Sequence, residues 1–351
     1  VRERSFRDRD FIRTNEDLLF CVVGPYHPWD RVISYLKYVP AEEGKWHRGR
    51  TNFKRVMQRY TIPDLLKTFN FIAENYVHYL FASPVYNVTM TAVPRDCIHQ
   101  YYRCEAKLAT LFQSHLHLDP LEKKANQLVT LLSKQSGITP ASFGITGSIL
   151  LGIHSQAFSD IDLTVYGLKD SYGLKRSLLN IYGSKDNRLR PLQGEKRQQW
   201  IANKVQNHRI STIEAERIFM RKWNVGVFDE TPFSVHPVRL EDELTEKYGE
   251  KVFKPMGQVT LHAVVTDSQD SIFLPGSYKI EDAKVDGRAA KNIQEVVTYE
   301  SLYCGIADTG EQVRVTGKLE HVKDVRTGQE YDRVLVGSTD GRGGERVLPL
   351  V

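Results

Sequence analysis

The chain has 351 residues, a formal net charge of +5 and a pI near 8.8, with 41% hydrophobic and 26% charged residues. That composition is ordinary for a soluble globular protein of two or three domains. No apolar run reaches the roughly 20 residues of a membrane span. Cys21, Cys97, Cys104 and Cys304 show no metal-ligand spacing, which excludes a disulfide framework or zinc site and points to a reducing compartment.

The opening VRERSFRDRDF is charged from its first residues and does not read as a signal peptide, so a cytoplasmic protein is expected. The mild basic excess permits a nucleic-acid partner without requiring one. Residues 1–118 mix strand-like runs (LLFCVV, RVISYLKYV, VYNVTMTAV) with the helix-like IPDLLKTFNFIAENYVHYLF, the pattern of a small α+β domain. Within it, KWHRGRTNFKRVMQRY sets Lys45, Arg48, Arg50, Lys54, Arg55 and Arg59 among Trp46, Phe53 and Tyr60. Cations for phosphates and rings for stacking suit single-stranded nucleic acid. A basic loop followed by a solvated amphipathic helix would carry the same residues. The earlier GPYHPWDRV groups His27, Asp30 and Arg31 around two prolines and reads as turn chemistry. His115 and His117 alternate as ligands do, but no third partner is visible.

A second domain is expected over 119–255. DPLEKKANQLVTLLSKQSG opens on an Asp-Pro helix entry, carries Leu121, Ala125, Leu128, Leu131 and Leu132 at helical spacing, and stops at a glycine. FGITGSILLGIHSQAFSDIDLTVYG follows. Its Asp160 and Asp162 share one face of a period-two strand, while Ile161 and Leu163 turn to the other. Paired carboxylates repel and raise each other's pKa, a penalty that a hard divalent cation such as Mg²⁺ or Mn²⁺ removes. Upstream, Gly147 lets a phosphate approach the backbone, and Ser148 is placed to cap a helix and donate a hydrogen bond.

A polar, basic and largely helical stretch runs from Lys169 to Lys222, with Lys185, Arg188, Arg190, Lys196 and Arg197 as further candidates for phosphate contact. WNVGVF and FSVHPV, joined at Asp229-Glu230-Thr231-Pro232, read as a β-hairpin. Ser234 and His236 stand on its second strand, where a third acid would be expected. Asp229 is the nearest substitute, and His236 reads as a half-buried structural histidine or, less simply, as a base or phosphate ligand. After a break near EKYGEKVFKPMGQ, residues 256–351 hold short strands divided by Gly, Asp and Thr turns, the signature of a small all-β barrel or sandwich, somewhat OB-like. Tyr299, Tyr303 and Lys318 there suit nucleic acid or simple core packing.

Gly147-Ser148, eleven residues, then Asp160-Ile161-Asp162-Leu163 resembles the signature of the DNA polymerase β-like nucleotidyltransferase superfamily. The resemblance spans roughly 121–240 and is sharp over 144–166. More distantly, the whole chain resembles an uncharacterised archaeal group of predicted nucleotidyltransferases. The resemblance implies a central mixed nucleotidyltransferase-type sheet with helices, which together with the flanking N-terminal α+β domain and C-terminal barrel read above makes an α+β protein. By it, Gly147 and Ser148 hold a nucleoside triphosphate, and Asp160 and Asp162 ligate the metal. A nucleoside monophosphate would then pass from an NTP to a hydroxyl, most simply an RNA or DNA end. The alternatives are an inactive nucleic-acid-binding protein on the same scaffold, or nucleotidylation of a protein or small molecule.

Overall fold

The computed structural model describes residues 4–59, 61–114, 118–183 and 188–350. The N-terminal body is built on strands β1 (Phe11–Thr14), β2 (Leu19–Val22), β3 (Arg31–Ala41), β4 (Trp46–Arg48) and β5 (Thr51–Arg55), helix α1 (Ile62–Asn75), then β6 (Leu80–Ser83), β7 (Val88–Pro94) and β8 (Ile98–Tyr102). The strands run antiparallel in the order β4-β5-β3-β2-β1-β8, with β7 joining the start of β3 and β6 joining β7. Thr61 caps α1 by accepting from the Asp64 amide at 3.3 Å, and Pro63 sits in its first turn. β1 and β2 are buried on both faces because two cores meet across them. Ile12, Phe20 and Val22 pack with Ile72 of α1, whereas Phe11, Leu19 and Cys21 pack with Leu150, Leu151 and Ile153 of the next body. The basic stretch at 45–59 contains the β4–β5 hairpin and no helix.

The middle body carries α2 (Cys104–Gln113), α3 (Pro120–Ser136), β9 (Phe143–Ile145), α4 (Gly147–Leu151), β10 (Ile161–Tyr166), α5 (Leu168–Tyr182), β11 (Leu189–Arg190), α6 (Gly194–His208), α7 (Thr212–Arg221), β12 (Val225–Phe228) and β13 (Thr231–Val238). Its sheet has the order β11-β12-β13-β10-β9, with β10 and β13 parallel and the other pairs antiparallel. This is the expected mixed sheet, and β12–β13 is the expected hairpin. α3 forms as its sequence dictates: Asp119 and Glu122 close a capping box, and Gly137 ends the helix at φ 74°. Three helices lie across the expected boundaries. Leu108 and Leu111 of α2 pack in the middle core, on the far side of residue 118. Ile201 of α6, with Ala215 and Ile218 of α7, packs on the C-terminal barrel.

That barrel comprises β14 (Lys251–Asp267), β15 (Gly276–Val285), β16 (Arg288–Ala289), β17 (Ile293–Thr298), β18 (Gln312–Asp324), β19 (Glu330–Val336) and β20 (Arg346–Leu350). β14, β15, β17, β19 and β18 close into a ring through the β14–β18 pairing, with β17 and β19 parallel. Counted along the chain, the five barrel strands follow 1-2-3-5-4-1, the order of the OB fold. A register shift between Pro255 and Gly257, the latter at φ 100°, bends the long β14 around the barrel. Among the described residues, no helix is long and apolar enough to cross a membrane.

Candidate functional site

β10 presents its carboxylates as the period-two pattern requires. Ile161, Leu163 and Val165 are fully buried in the middle core, and Asp162 faces the opposite way. Asp160, just before the strand, reaches solvent on that same side. Gly147 stands against the pair. It adopts φ 68°, and a Cβ there would lie 2.8 Å from Asp162 Oδ2. Both the left-handed backbone and the bare Cα are therefore required. Gly147→Ala is expected to cost at least ~1–2 kcal/mol for the backbone alone, and to displace the Asp162 carboxylate. A thermal melt and a Mn²⁺ titration of the variant check both effects.

Ser148 has a different role from the expected helix cap. The cap position is Thr146, whose hydroxyl donates to the Arg9 carbonyl at 2.6 Å. Ser148 lies inside the short α4, 8% exposed, with its Oγ 3.4 Å from that of Ser159. Ser159 in turn accepts from the Ser155 amide at 2.9 Å. Ser148 thus ties α4 to the loop that delivers Asp160.

The parallel register sets Ser234 of β13 directly opposite Asp162. Ser234 Oγ donates to Asp162 Oδ1, and His236 Nε2 lies 2.9 Å from the same Oγ. Because the serine proton is directed at the carboxylate, the imidazole Nε2–H is the donor to Ser234. His236 Nε2 is 3.9 Å from Asp162 Oδ1. Asp229 supplies no third acid. It sits in the hairpin turn at φ 42°, gripped by Arg188 through Nε at 3.1 Å and Nη2 at 2.7 Å, and does not line the cavity of Asp160 and Asp162. Among the described residues, Asp119, Glu122 and His154 come close enough to share an ion. Their chemistry is already committed: Asp119 Oδ1 caps α3, Asp119 Oδ2 lies 2.6 Å from His154 Nε2, and Glu122 pairs with Lys107 at 3.0 Å.

Asp160, Asp162 and Gly147 line a cavity of about 470 Å³ walled by all three bodies. Arg9, Lys37 and Arg55 come from the N-terminal body, Lys204 from α6, and Lys318 and Arg333 from the barrel. Against these six cations stand four lining carboxylates, Asp160, Asp162, Glu300 and Glu320, so the cavity favours an anion. Lys37 is 7% exposed, its Nζ 5.4 Å from the centre of the Phe11 ring. A lysine between Leu36 and Tyr38 in a strand was a legible anomaly. Arg9 carried no such signal.

The electrostatics follow from this packing. The negative charge of Asp162, and then burial, push the Asp160 carboxyl up to about 6. Burial opposes ionisation of Asp162 too, but His236, Lys37 and the Ser234 hydrogen bond hold its carboxyl well below the usual range. Burial and the nearby Arg9 bring His236 down to about 4, leaving it neutral at pH 7. A metal ion needs both carboxylates ionised, so its affinity should fall as pH drops through 6, by up to about tenfold per unit. In the metal-free chain the Asp160 contribution runs the other way, and the depressed His236, which an unfolded chain would protonate, opposes it over the same range. A carboxyl with a raised folded pKa contributes stability below its unfolded value and loses it as pH rises through the folded one. The Mg²⁺-induced rise in Tm should therefore shrink between pH 7.5 and 5, and a constant rise would contradict the assignment.

The remaining expected contacts scatter. Arg55 alone of the Lys45–Arg59 set lines the cavity. Arg48 donates to the Tyr102 hydroxyl at 2.6 Å, Arg59 reaches Asn207 at 3.5 Å, and Lys45, Arg50 and Lys54 are exposed. Trp46 is half-buried against Tyr38, with ring centres 5.3 Å apart. Arg188 is held by Asp229, Arg190 and Lys196 pair with Glu230, and Arg197 lies over Phe219. His27 is structural, its Nδ1 accepting from the Ile33 amide at 3.2 Å. Tyr299 and Lys318 line the cavity, whereas Tyr303 is buried in the barrel core. Lys185, His115, His117 and Tyr60 lie outside the described residues.

Compared with known proteins, the chain is 31% identical over 335 residues to the "Uncharacterized protein MJ1086" of Methanocaldococcus jannaschii, covering 95% of this chain and 96% of that one. No family model matches the chain, and no solved structure matches it.

Proposed function

The chain belongs to the family of the archaeal protein MJ1086, and from the geometry of the site we propose that it is a Mg²⁺- or Mn²⁺-dependent nucleotidyltransferase. The carrying observation is the Asp160–Asp162 pair set against the bare Cα of Gly147 in a cavity with a cationic excess. Two hard carboxylate donors on one strand face fit a divalent cation. When bound there, the ion neutralises triphosphate charge and polarises the α-phosphate.

The chain's own residues do the rest. Arg9, Lys37 and Arg55 face the phosphates, and Gly147 allows their close approach to the backbone. Ser234 and His236 fix the orientation of Asp162. Catalysis is then positioning and electrostatics. An acceptor hydroxyl oxygen bonds to the α-phosphorus, the bond to the bridging oxygen of the β-phosphate breaks, pyrophosphate leaves, and the hydroxyl proton passes to water.

One observation favours a second reading. Ser234 occupies the place opposite Asp162 where a third acid would sit, which suits a catalytically silent scaffold that binds nucleic acid. The same assay separates the two. The protein is incubated with each NTP, Mg²⁺ or Mn²⁺, and a pool of short RNA and DNA, beside the Asp160→Asn/Asp162→Asn variant. Pyrophosphate release by the wild type alone supports transfer, and none with any acceptor supports the scaffold.

A further inference from the structure

The loop between α4 and β10 places an exposed aromatic ring two residues before Asp160. Phe158 is 52% exposed and belongs to none of the hydrophobic cores. Its ring meets Trp46 of β4 edge to face, with centres 5.8 Å apart. The Arg55 guanidinium lies over the Trp46 ring at 4.7 Å, and Arg55 lines the cavity that holds Asp160 and Asp162. Phe158, Trp46 and Arg55 therefore form a continuous ramp from the surface to the carboxylates.

The rim of that ramp is basic. Lys45, Arg50 and Lys54 project from the β4–β5 hairpin, exposed and, among the described residues, without an ion pair. Residues 42–55 carry five cations, Lys45, Arg48, Arg50, Lys54 and Arg55, against Glu42 and Glu43 on the adjoining turn. The barrel offers less to such a ligand on its cavity side. There Arg333 is bound by Glu320 at 2.8 Å and Lys318 by Asp340 at 2.9 Å.

We propose that this ramp docks a single-stranded nucleic-acid end, with bases stacked on Phe158 and Trp46 and phosphates on Lys45, Arg50 and Lys54. Its terminal hydroxyl then arrives beside Asp160. What happens to that hydroxyl rests on the nucleotidyl-transfer reading, whereas the docking does not. Every base has a π-face and lysines read only phosphate, so the surface takes many sequences. It needs unpaired bases, because those of a duplex are already stacked on one another.

The test is fluorescence anisotropy of a 5′-labelled RNA dodecamer, and of DNA of the same sequence, across a series of KCl concentrations. Phe158→Ala is expected to weaken binding by roughly 5- to 100-fold, and Phe158→Tyr to restore it. The single position compared, Phe158, is solvent-exposed, so the fold is not at stake. Lys45→Ala/Arg50→Ala/Lys54→Ala should reduce the salt slope by about 2, at ~0.7 per phosphate contact. Asp160→Asn/Asp162→Asn should bind at least as well as the wild type. The proposal is overturned if neither oligonucleotide binds, if Phe158→Ala binds equally well, if the salt slope is unchanged, or if a duplex competes as strongly as a single strand. Binding as described with no pyrophosphate released would sink the transfer reading and leave the docking standing. Pyrophosphate release to another acceptor without oligonucleotide binding would do the reverse.

Discussion

Asp162→Asn is expected to lower nucleotidyl transfer by roughly 10²–10³-fold, the usual cost of removing one preorganised electrostatic group from a transition state. Asparagine keeps the size of the side chain and can still accept from Ser234 Oγ, so the β10–β13 ladder and the Ser234–His236 arrangement survive. What it removes is the charge that makes a cation welcome. Asp160→Asn should cost a similar factor. Since both carboxylates act through one ion, the double variant should fall only slightly below either single one. Independent, multiplying losses would mean that the two residues have separate tasks. A binding readout accompanies the rate: the Mg²⁺-dependent rise in Tm, set by the ratio of free ion to Kd, should vanish in both variants. Full activity in Asp162→Asn would remove the basis of the proposed site.

Asp10→Ala is expected to destabilise the protein by about 3–5 kcal/mol, the cost of breaking a buried, hydrogen-bonded charge pair by removing one member. Asp10 has no exposed surface. It accepts from Arg4 Nη1 at 2.7 Å, the Arg7 amide at 3.0 Å, the Cys104 amide at 3.2 Å and the Tyr101 hydroxyl at 2.5 Å. Two of these contacts carry it across a body boundary. The Cys104 amide opens α2, which packs in the middle core, and Arg4 also pairs with Glu105 of α2 at 2.8 Å. The variant leaves the α2 amide without its acceptor and the Arg4 guanidinium with Glu105 as its remaining carboxylate. At ~2–4 °C per kcal/mol for a chain of this order, the first unfolding transition should drop by roughly 6–20 °C. Asp10→Asn, which keeps an acceptor oxygen, should lose distinctly less. A drop of under ~1 kcal/mol in Asp10→Ala would show that the network contributes little.

Much of this architecture was legible because local rules sufficed. The Asp119-Pro120 entry, the Leu121–Leu132 spacing and Gly137 specify α3 through capping and period alone. The period of two in Ile161–Val165 tells which side chains face the core, and therefore that Asp160 and Asp162 point away from it. The hairpin at 225–238 and the chain of short C-terminal strands follow from turn residues at regular intervals. The β4–β5 hairpin was harder to see, because its charges alternate with Trp46 and Phe53 in a pattern that suits an exposed helix as well as a strand. Burial of Phe53 against Phe11 and Tyr38 decides for the strand.

By itself, then, the sequence determined the elements, the glycine and the two carboxylates, since each depends on residues within a turn or a pleat of one another. Only the tertiary structure decided what surrounds them. The register of β10 on β13 joins residues some 70 positions apart and puts Ser234, not Asp229, opposite Asp162. The burial of Leu150, Leu151 and Ile153 against the N-terminal sheet brings Arg9, Lys37 and Arg55 to the cavity. Those placements come from covering apolar faces of separate bodies with one another, and nothing in the local sequence around a carboxylate records which distant face will cover it.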